Sequence, residues 1–375
     1  MIKQVSIDAI LHNITQIKKQ LECKLCAVVK CDAYGHGARQ VSRCIETHID
    51  CFAVATVEEG VQLREVGVTK GILVLGALQA KDVKNLGRHN LMQTVSRLED
   101  LHCIEQQCKE FETKQPIGIH IKVDTGLHRL GFLPSSLGGG SKNQVIKFLS
   151  KSKHLVLRGI FTHFCDTEDV ARTQAQKDIF DKVVQGLVGH FCIEGRSFVV
   201  DRSKLLLHAG ASGALAKKEL HYDMVRVGLA LYGYGAESLG LRPAMRVQGK
   251  IVRIAQIKKG DCVGYQPGYC ADKDRTIATV LGGYGDGILR GVYTQAVVCT
   301  TTNEQTRVPI VGHISMDMLS MDVTGLSVCE GDSVYLMDAS LDAQEIASQA
   351  GTIPYQLLTA MKPRTETVYE EPKRE

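Results

Sequence analysis

The chain has 375 residues, of which 44% are hydrophobic and 23% are charged, as in a folded globular protein. Its 45 basic and 41 acidic residues are spread along the chain and give a net charge of +4, so we expect no nucleic-acid or membrane partner. No stretch approaches the roughly 20 apolar residues that span a bilayer. The first 20 residues lack the pattern of a signal peptide, and we expect a cytoplasmic protein.

Between Leu25 and about Gly233, short β-rich runs alternate with polar segments of helical periodicity. The runs cover residues 25–31, 51–55, 71–76, 91–95, 117–124, 156–164, 205–210 and 224–228. Eight such runs with helical spacers predict a parallel (β/α)8 TIM barrel, because a doubly wound sheet of six strands would leave two runs over.

After about residue 240 the pattern changes to short alternating strands with Gly, Asp and Asn at the turns. This change predicts a second, mainly β domain. We therefore predict an α/β chain with a barrel over residues 1–239 and a mainly β domain over residues 240–375.

Thirteen cysteines are scattered along the sequence. Cys23 and Cys26 form a C-x-x-C pair, but no second pair completes a zinc site, and Cys26 begins an apolar strand. We expect neither metal nor disulfide chemistry. Most of the cysteines are predicted to be small buried residues in a reducing compartment.

Polar residues fall where predicted barrel strands end, which is the face that carries active groups in this fold. Taken alone, a lysine there is usually a solvated charge and a histidine is usually a satisfied core residue. A phosphate site after runs 7 and 8, an amine and an arginine together suggest pyridoxal phosphate. The residues are Lys30, Lys122, Arg129, His163, His208, Ser212, Arg226, Gly228 and Leu229.

"AVVKCDAYGHG" (27–37) resembles the cofactor-lysine signature of the alanine racemase family. Further matching stretches follow in the family's order: "KVDTGLHRLG", "GIFTHF", "HAGASGA", "MVRVGLALYG", "VGYQPGY", "GGYGDG", "VGHISMDM" and "TIPYQLL". The resemblance covers essentially the whole chain. It implies a pyridoxal-phosphate enzyme that interconverts L-alanine and D-alanine and supplies D-alanine for peptidoglycan.

The resemblance also implies roles for individual residues. Lys30 would bind the cofactor covalently and act as the base on the D side of the substrate. Tyr265 would be the opposing base for the L side, supplied by the second subunit of a head-to-tail homodimer. The cofactor phosphate would be held by Tyr34, Ser212, Gly228, Leu229 and Tyr355.

The remaining implied roles surround the cofactor and the substrate. Arg129 would face the cofactor's phenolic oxygen and the substrate carboxylate, and Lys122 matches a lysine that the family often carries as a carbamate. Arg226 would face the pyridine nitrogen. The supporting and substrate-lining residues would be His163 and His208 beside Arg226, with Met316, Asp317 and Tyr284 of the second subunit in the substrate pocket and its entrance.

Two positions depart from the family pattern. Ala211 stands where an asparagine is common, and His313 stands where an arginine or a similar long side chain is common. Two other functions stay open: a serine or broad-specificity racemase, and a non-catalytic pyridoxal-phosphate-binding protein. Tyr355 favours alanine over serine, and the second domain with Tyr265 argues against a carrier. A basic amino-acid decarboxylase on the same barrel would need an acidic partner for the ring nitrogen in place of Arg226.

Overall fold

The computed structural model describes residues 1–112, 115–138, 140–266, 268–299, 305–361, 364 and 366–370. The chain divides into two compact units. The barrel unit comprises residues Ile14–Ala33 and Ala38–Leu231, and the β unit comprises residues Met1–Asn13, Tyr34–Gly37 and Tyr232–Glu375.

Strands and helices follow one another in chain order. The strands are β1 (Ile2–Ser6), β2 (Lys24–Val28), β3 (Cys51–Val54), β4 (Gly71–Val74), β5 (Met92–Val95), β6 (Ile117–Lys122), β7 (Leu155–Phe161), β8 (Gly189–Ile193), β9 (Arg196–Val200), β10 (Leu206–His208), β11 (Met224–Val227), β12 (Met245–Ile257), β13 (Arg275–Leu281), β14 (Gln295–Cys299), β15 (Gln305–Val311), β16 (Met318–Asp322), β17 (Ser333–Met337) and β18 (Glu366–Glu370). The helices are α1 (Ile7–Lys18), α2 (Ala38–Ile45), α3 (Val57–Glu65), α4 (Val83–Arg88), α5 (Leu98–Glu110), α6 (Gln144–Lys151), α7 (Val170–Leu187), α8 (Ala343–Gln349) and α9 (Pro354–Ala360).

The barrel unit is built on a parallel sheet with the order β10-β7-β6-β5-β4-β3-β2-β11. Its strands are apolar on both faces, as in the run Leu25, Cys26 and Ala27 of β2, because helices cover the outer face. Backbone bonds join the two ends of the sheet: Asp223 N donates to the Leu207 carbonyl (3.0 Å) and Arg226 N donates to the Gly210 carbonyl (3.0 Å). The predicted TIM barrel is confirmed, and each predicted run overlaps one of its strands.

The β unit is built on a mostly antiparallel sheet with the order β13-β16-β15-β14-β17-β12-β1-β18. The N-terminal strand β1 pairs antiparallel with β12 and parallel with β18, so it belongs to this sheet and not to that of the barrel. The mainly β character predicted after residue 240 is confirmed. The division at residues 239 and 240 stays a prediction.

The cysteine prediction is wrong in two respects. Cys262 and Cys270 form a disulfide across a chain reversal, a pairing that depends on strand geometry and not on a spacing motif. Of the ten free cysteines that the structure describes, only Cys26, Cys51 and Cys108 are buried. Within the described residues no cluster of His, Cys, Asp and Glu could hold a metal ion, and no helix is long and apolar enough to cross a membrane.

Candidate active site

Lys30 follows β2 and begins an unusual turn. Cys31, Asp32 and Ala33 have φ angles of 52°, 54° and 54°, so the chain winds in the left-handed sense directly after the lysine. L-residues rarely adopt this conformation in succession. The amine of Lys30 forms no hydrogen bond or ion pair with any residue that the structure describes, and it is therefore open to a ligand.

Carboxylates hold this turn at both ends. Glu59 accepts a hydrogen bond from Cys31 N at Oε1 (2.7 Å), and its Oε2 accepts from Ala55 N (2.7 Å). The same Oε2 also accepts from Thr56 N (3.3 Å) in the capping box of α3. Asp32 Oδ1 accepts from Ala38 N (2.7 Å). The first turn of α3 thus fixes the backbone next to Lys30.

Arg226 lies in β11 and is 4% exposed. Its Nη1 donates to His208 Nδ1 (2.6 Å), and its Nη2 donates to the carbonyl of Thr162 (2.9 Å) and to His163 Nδ1 (3.1 Å). It forms no ion pair with any described carboxylate, and no described residue accepts from its Nε. The guanidinium is therefore held by neutral acceptors only.

The contacts of Arg226 fix the protons of a histidine chain. An arginine only donates, so His208 accepts at Nδ1 and carries its proton on Nε2. His208 Nε2 then donates to His120 Nδ1 (2.8 Å). The imidazole of His208 also stacks on Phe161, with ring centroids 4.7 Å apart. This geometry defines a chain from Arg226 through His208 to His120.

Burial and the arginine charge keep these histidines neutral. Burial, and next the positive charge of Arg226, lower the pKa of His163 to about 3 and that of His120 to about 3. The same causes lower the pKa of His208 well below its ordinary value. Burial also lowers the pKa of Arg226 to about 10, so the guanidinium is still protonated at neutral pH.

Lys122 is the last residue of β6 and is buried. Burial and the positive charges of Arg129 and Arg226 lower its pKa to about 8. Arg129 is exposed on the following loop, which closes through a bond from Phe132 N to the Lys122 carbonyl (2.8 Å). Asp124 in this loop accepts from Gly126 N (3.0 Å) and His128 N (3.0 Å), and its Oδ2 lies 3.3 Å from His128 Nδ1.

Ser212, Gly228 and Leu229 lie after the last two strands of the barrel. The hydroxyl of Ser212 is buried and accepts from Ala230 N (3.4 Å). Leu229 begins a 3-10 turn, and the first N–H groups of such a turn have no partner within it. The residue before the serine is Ala211, whose side chain offers no polar contact.

In the β unit, Tyr34 and Tyr355 lie side by side. Their ring centroids are 5.6 Å apart, and Tyr34 is also 5.2 Å from the ring of Tyr232. Tyr34 is buried, whereas Tyr355 is 40% exposed, and burial of its hydroxyl raises its pKa. A Cβ atom at Gly35 would overlap the carbonyl oxygen of Leu358, so this glycine permits the close approach of the chain to α9.

Tyr265 and Tyr284 line one cavity of about 290 Å³ in the β unit. Tyr265 is 74% exposed and lies on the loop closed by the Cys262–Cys270 disulfide. The cavity is also lined by Arg290 and by His313, the residue that departs from the family pattern. Two phenols, an imidazole and a guanidinium therefore face one opening.

Met316 and Asp317 follow this cavity along the chain but do not line it. The carboxylate of Asp317 accepts from Arg364 Nη2 (2.7 Å), and Arg364 Nε lies 3.4 Å from the buried carboxylate of Asp286. The Met316 carbonyl accepts from Gly285 N (2.9 Å). Arg364 thus links the segment after the cavity to the turn that carries Tyr284.

The structure brings several predicted residues together and adds others. His163 and His208 contact Arg226, and the charge of Lys30 acts on Lys122. Sequence reasoning missed several residues of these clusters. His120 had a usable signal, because it lies two residues before Lys122 and strand periodicity puts both on one face. The missed residues are Glu59, His120, Arg290 and Arg364.

Cationic and polar side chains at the carboxyl ends of a parallel eight-stranded barrel define a barrel enzyme. A sequence model of the alanine racemase N-terminal domain matches residues 5–236, and one of the alanine racemase C-terminal domain matches residues 244–369. The chain belongs to the alanine racemase family, as its motifs predicted.

Individual relatives agree with this family. The alanine racemase of Pasteurella multocida is 34% identical over 377 residues, which cover 98% of this chain and 97% of that protein. The alanine racemase of Thermodesulfovibrio yellowstonii is 32% identical over 378 residues, with 98% and 96% covered. Among solved structures, the alanine racemase of Clostridium difficile 630 is similar with a TM-score of 0.87 and 30% identity, over 98% of this chain and 95% of that one.

Proposed function

We propose that the chain is a pyridoxal-phosphate-dependent racemase that interconverts L-alanine and D-alanine, with Lys30 and Tyr265 as its two bases. The observation that carries the proposal is the environment of Arg226. This guanidinium is buried without a carboxylate partner among the described residues, and its Nε is open. Because arginine does not give up its proton, it can donate only to an unprotonated ring nitrogen, which favours return of a proton over other reactions.

The side chains of the barrel unit fit pyridoxal phosphate. The positive charges of Arg129, Arg226 and Lys30 all act on Lys122, and among the described residues Asp124 is the carboxylate that opposes them. Such a site suits a ligand that carries a phosphate and a phenolic oxygen. Arg226 would hold the pyridine nitrogen, Arg129 would hold the phenolic oxygen, and Lys30 would form the covalent link. The phosphate would be held by Ser212, Gly228 and Leu229, with Tyr34 and Tyr355 of the β unit.

When bound, pyridoxal phosphate withdraws electrons and thereby weakens the Cα–H bond of an amino acid. Racemisation then requires a proton to leave one face of Cα and a proton to arrive on the other. The amine of Lys30 would handle the proton on the D face, and the hydroxyl of Tyr265 would handle the proton on the L face. His163 stays neutral beside Arg226 and so cannot supply a competing charge there.

The two bases require a second subunit in this proposal. Tyr265 belongs to the β unit, and we propose a head-to-tail homodimer in which each β unit completes the other subunit's site. Met316, Asp317 and Tyr284 would line the substrate pocket and its entrance from the same side. Their arrangement around Arg364 and the Tyr265 cavity supports a common role.

Alanine is the proposed substrate, and a cytoplasmic role in supplying D-alanine for peptidoglycan is the proposed setting. The curated relatives that match the chain are named alanine racemases, which supports this substrate. An apolar pocket separates a methyl group from a hydroxymethyl group by only about 100-fold, so slow serine turnover is expected.

Reduction of the loaded protein with borohydride followed by peptide mapping tests the cofactor assignment. We expect a pyridoxyl group on Lys30, and the same group on any other lysine would overturn it. Tyr265→Phe should abolish racemisation in both directions while the protein still binds the cofactor. Full activity of Tyr265→Phe would refute the two-base assignment.

Mixing inactive variants tests the shared site. Lys30→Ala and Tyr265→Phe each lack one base, but a head-to-tail hybrid dimer of the two contains one complete site. Random exchange of subunits should restore about a quarter of the wild-type activity. If no activity returns although hybrids form, the two bases belong to the same subunit.

A further inference from the structure

The loop that carries Tyr265 is closed by a covalent bond. Cys262 and Cys270 are separated by eight positions in sequence and are joined by a disulfide. We propose that this disulfide positions Tyr265, so that Cys262 and Cys270 are positioning residues for the reaction; the inference rests on the proposed function of Tyr265 as a base. We call residues 262–270 the tyrosine loop.

Within residues 262–266 and 268–270, the described part of the tyrosine loop, few backbone bonds hold the chain. At its base, Gly260 N donates to the Ala271 carbonyl (2.8 Å) and Ala271 N donates to the Asp261 carbonyl (2.8 Å). Among the described residues, two further bonds lie above the disulfide: Val263 N donates to the Tyr269 carbonyl (2.9 Å), and Gly268 N donates to the Gln266 carbonyl (2.5 Å). The disulfide therefore lies between the base of the loop and its tip, where it restrains the two chain segments that flank Tyr265.

Contacts of the Tyr265 side chain do little to fix its position. It is 74% exposed, and its hydroxyl has no hydrogen-bond partner among the described residues. The position of the phenol therefore depends on the backbone of the loop. A catalytic group gains rate from being held in one geometry, and a displacement of about 1 Å can cost about 100-fold in rate.

One side of the loop rests on the segment that contains Gly312 and His313. A Cβ atom at Gly312 would lie 2.6 Å from the Val263 carbonyl oxygen, so only glycine permits this approach. A Cβ atom at Gly268 would lie 3.0 Å from Nε2 of His313, which puts this imidazole beside the loop. Noncovalent support thus comes from one side, and the disulfide supplies restraint across the loop.

Cys262 and Cys270 are both exposed, so small reagents reach them in the isolated chain. Dithiothreitol cleaves the S–S bond by thiol–disulfide exchange: each cysteine sulfur gains a hydrogen, and the reagent becomes its cyclic disulfide. Closure is the reverse exchange, in which a low-molecular-weight disulfide accepts the two electrons and leaves as two thiols. The position of Tyr265 is thereby linked to the ratio of thiols to disulfides in the surrounding solution.

The test uses the pyridoxal-phosphate-loaded enzyme before and after treatment with dithiothreitol. Alkylation and mass spectrometry should find Cys262 and Cys270 joined before treatment and alkylated after it. Hydrogen exchange of residues 263–269 should become faster after treatment. We expect kcat to fall about 10-fold to 100-fold, with the absorbance of the bound cofactor unchanged.

An isotope effect separates positioning of Tyr265 from a general loss of structure. Deuterium at Cα of L-alanine should slow the reduced enzyme more than the oxidised one, because the L-side step becomes more limiting. Deuterium at Cα of D-alanine should slow the reduced enzyme less than the oxidised one, because proton removal on the D side then limits the rate less. Equal changes with both substrates, or unchanged kcat after reduction, would overturn the inference.

Variants provide matched controls. Cys262→Ser/Cys270→Ser should behave like the reduced enzyme and should not respond to dithiothreitol. Cys329→Ser removes another exposed cysteine of the β unit and should respond like the wild type. Full activity of Tyr265→Phe would refute the proposed function, whereas an inactive Tyr265→Phe with no effect of reduction on the wild type would refute the disulfide's role alone.

Discussion

The imidazole of His120 occupies the space that a side chain at residue 159 would fill. A Cβ atom at Gly159 would overlap the His120 ring and would lie 2.6 Å from the Leu206 carbonyl oxygen. These residues lie on the adjacent strands β6 and β7, in direct register. The absence of a side chain at Gly159 therefore leaves room for His120, the last residue of the hydrogen-bonded series that runs from Arg226 through His208.

Gly159→Ala should destabilise the protein, because the ring of His120 and the backbone of β10 would both have to move. Overpacking of this kind costs about 1–3 kcal/mol in free energy of unfolding. Gly186→Ala is the control, since a Cβ atom there, near the end of α7, is 3.8 Å from its nearest neighbour. Urea unfolding should show a loss only for Gly159→Ala, and equal stability of the two variants would contradict the packing argument.

Arg226→Lys should impair catalysis although it keeps the charge. In Arg226, Nη1 and Nη2 donate hydrogen bonds while Nε remains as a further donor. The single ammonium group of a lysine cannot reproduce this arrangement. We expect kcat/KM to fall about 100-fold, the size of effect seen when one fixed donor is removed from a site. Arg158→Lys, on the exposed face of β7, should have wild-type kinetics, and wild-type kinetics for Arg226→Lys would contradict this role.

The neutral histidines make stability depend on pH. His120 and His163 have a pKa of about 3 when folded, against an ordinary value of 6.5. Between these values the unfolded chain binds more protons than the folded one, so stability falls as pH falls from about 6.5 towards 3. Each histidine contributes a slope of at most about 1.4 kcal/mol per pH unit.

Urea unfolding at pH 7.5, 6.0 and 5.0 measures this slope. His163→Gln should reduce the slope, because the variant has one fewer group that must stay neutral. His48→Gln removes an exposed histidine in the same unit and should leave the slope unchanged. An identical slope in wild type and His163→Gln would show that His163 takes up its proton in the folded state.

Lys122 should react with carbon dioxide to form a carbamate. Burial and the charges of Arg129 and Arg226 lower its pKa to about 8, so a large share of the amine is neutral and nucleophilic near that pH. At a fixed pressure of carbon dioxide, the carbamate fraction should rise as pH rises through 8. Ethylation with an oxonium salt and mass spectrometry would detect it, and an unmodified Lys122 under all these conditions would contradict the prediction.

The sequence predicted the barrel because its strands are buried on both faces and read as separate apolar runs. The sequence also predicted Lys30 and Arg226 as candidate site residues, because they lie at or near the ends of such runs. It did not predict His120, since a histidine inside a strand is ordinarily a core residue until its neighbours are known. Glu59 and Arg364 act through contacts 28 and 47 positions away along the chain, which no local pattern encodes.

The strand β1 and the Cys262–Cys270 disulfide show the same limit. The partners of β1, the strands β12 and β18, lie more than 200 positions away along the chain. Cys262 and Cys270 lie opposite each other in an isolated antiparallel bridge, whereas the C-x-x-C pair Cys23 and Cys26 forms no disulfide. Local sequence indicates whether a segment forms a helix or a strand, but it does not indicate which strands or cysteines pair.

The left-handed turn after Lys30 has a stereochemical consequence. Cys31, Asp32 and Ala33 adopt backbone angles that cost L-residues roughly 1–2 kcal/mol each, and the bonds to Glu59 and Asp32 offset part of this cost. The same angles are the relaxed ones for residues of the opposite hand. A semisynthetic chain with D-alanine at position 33 should therefore fold with less backbone strain than the natural chain.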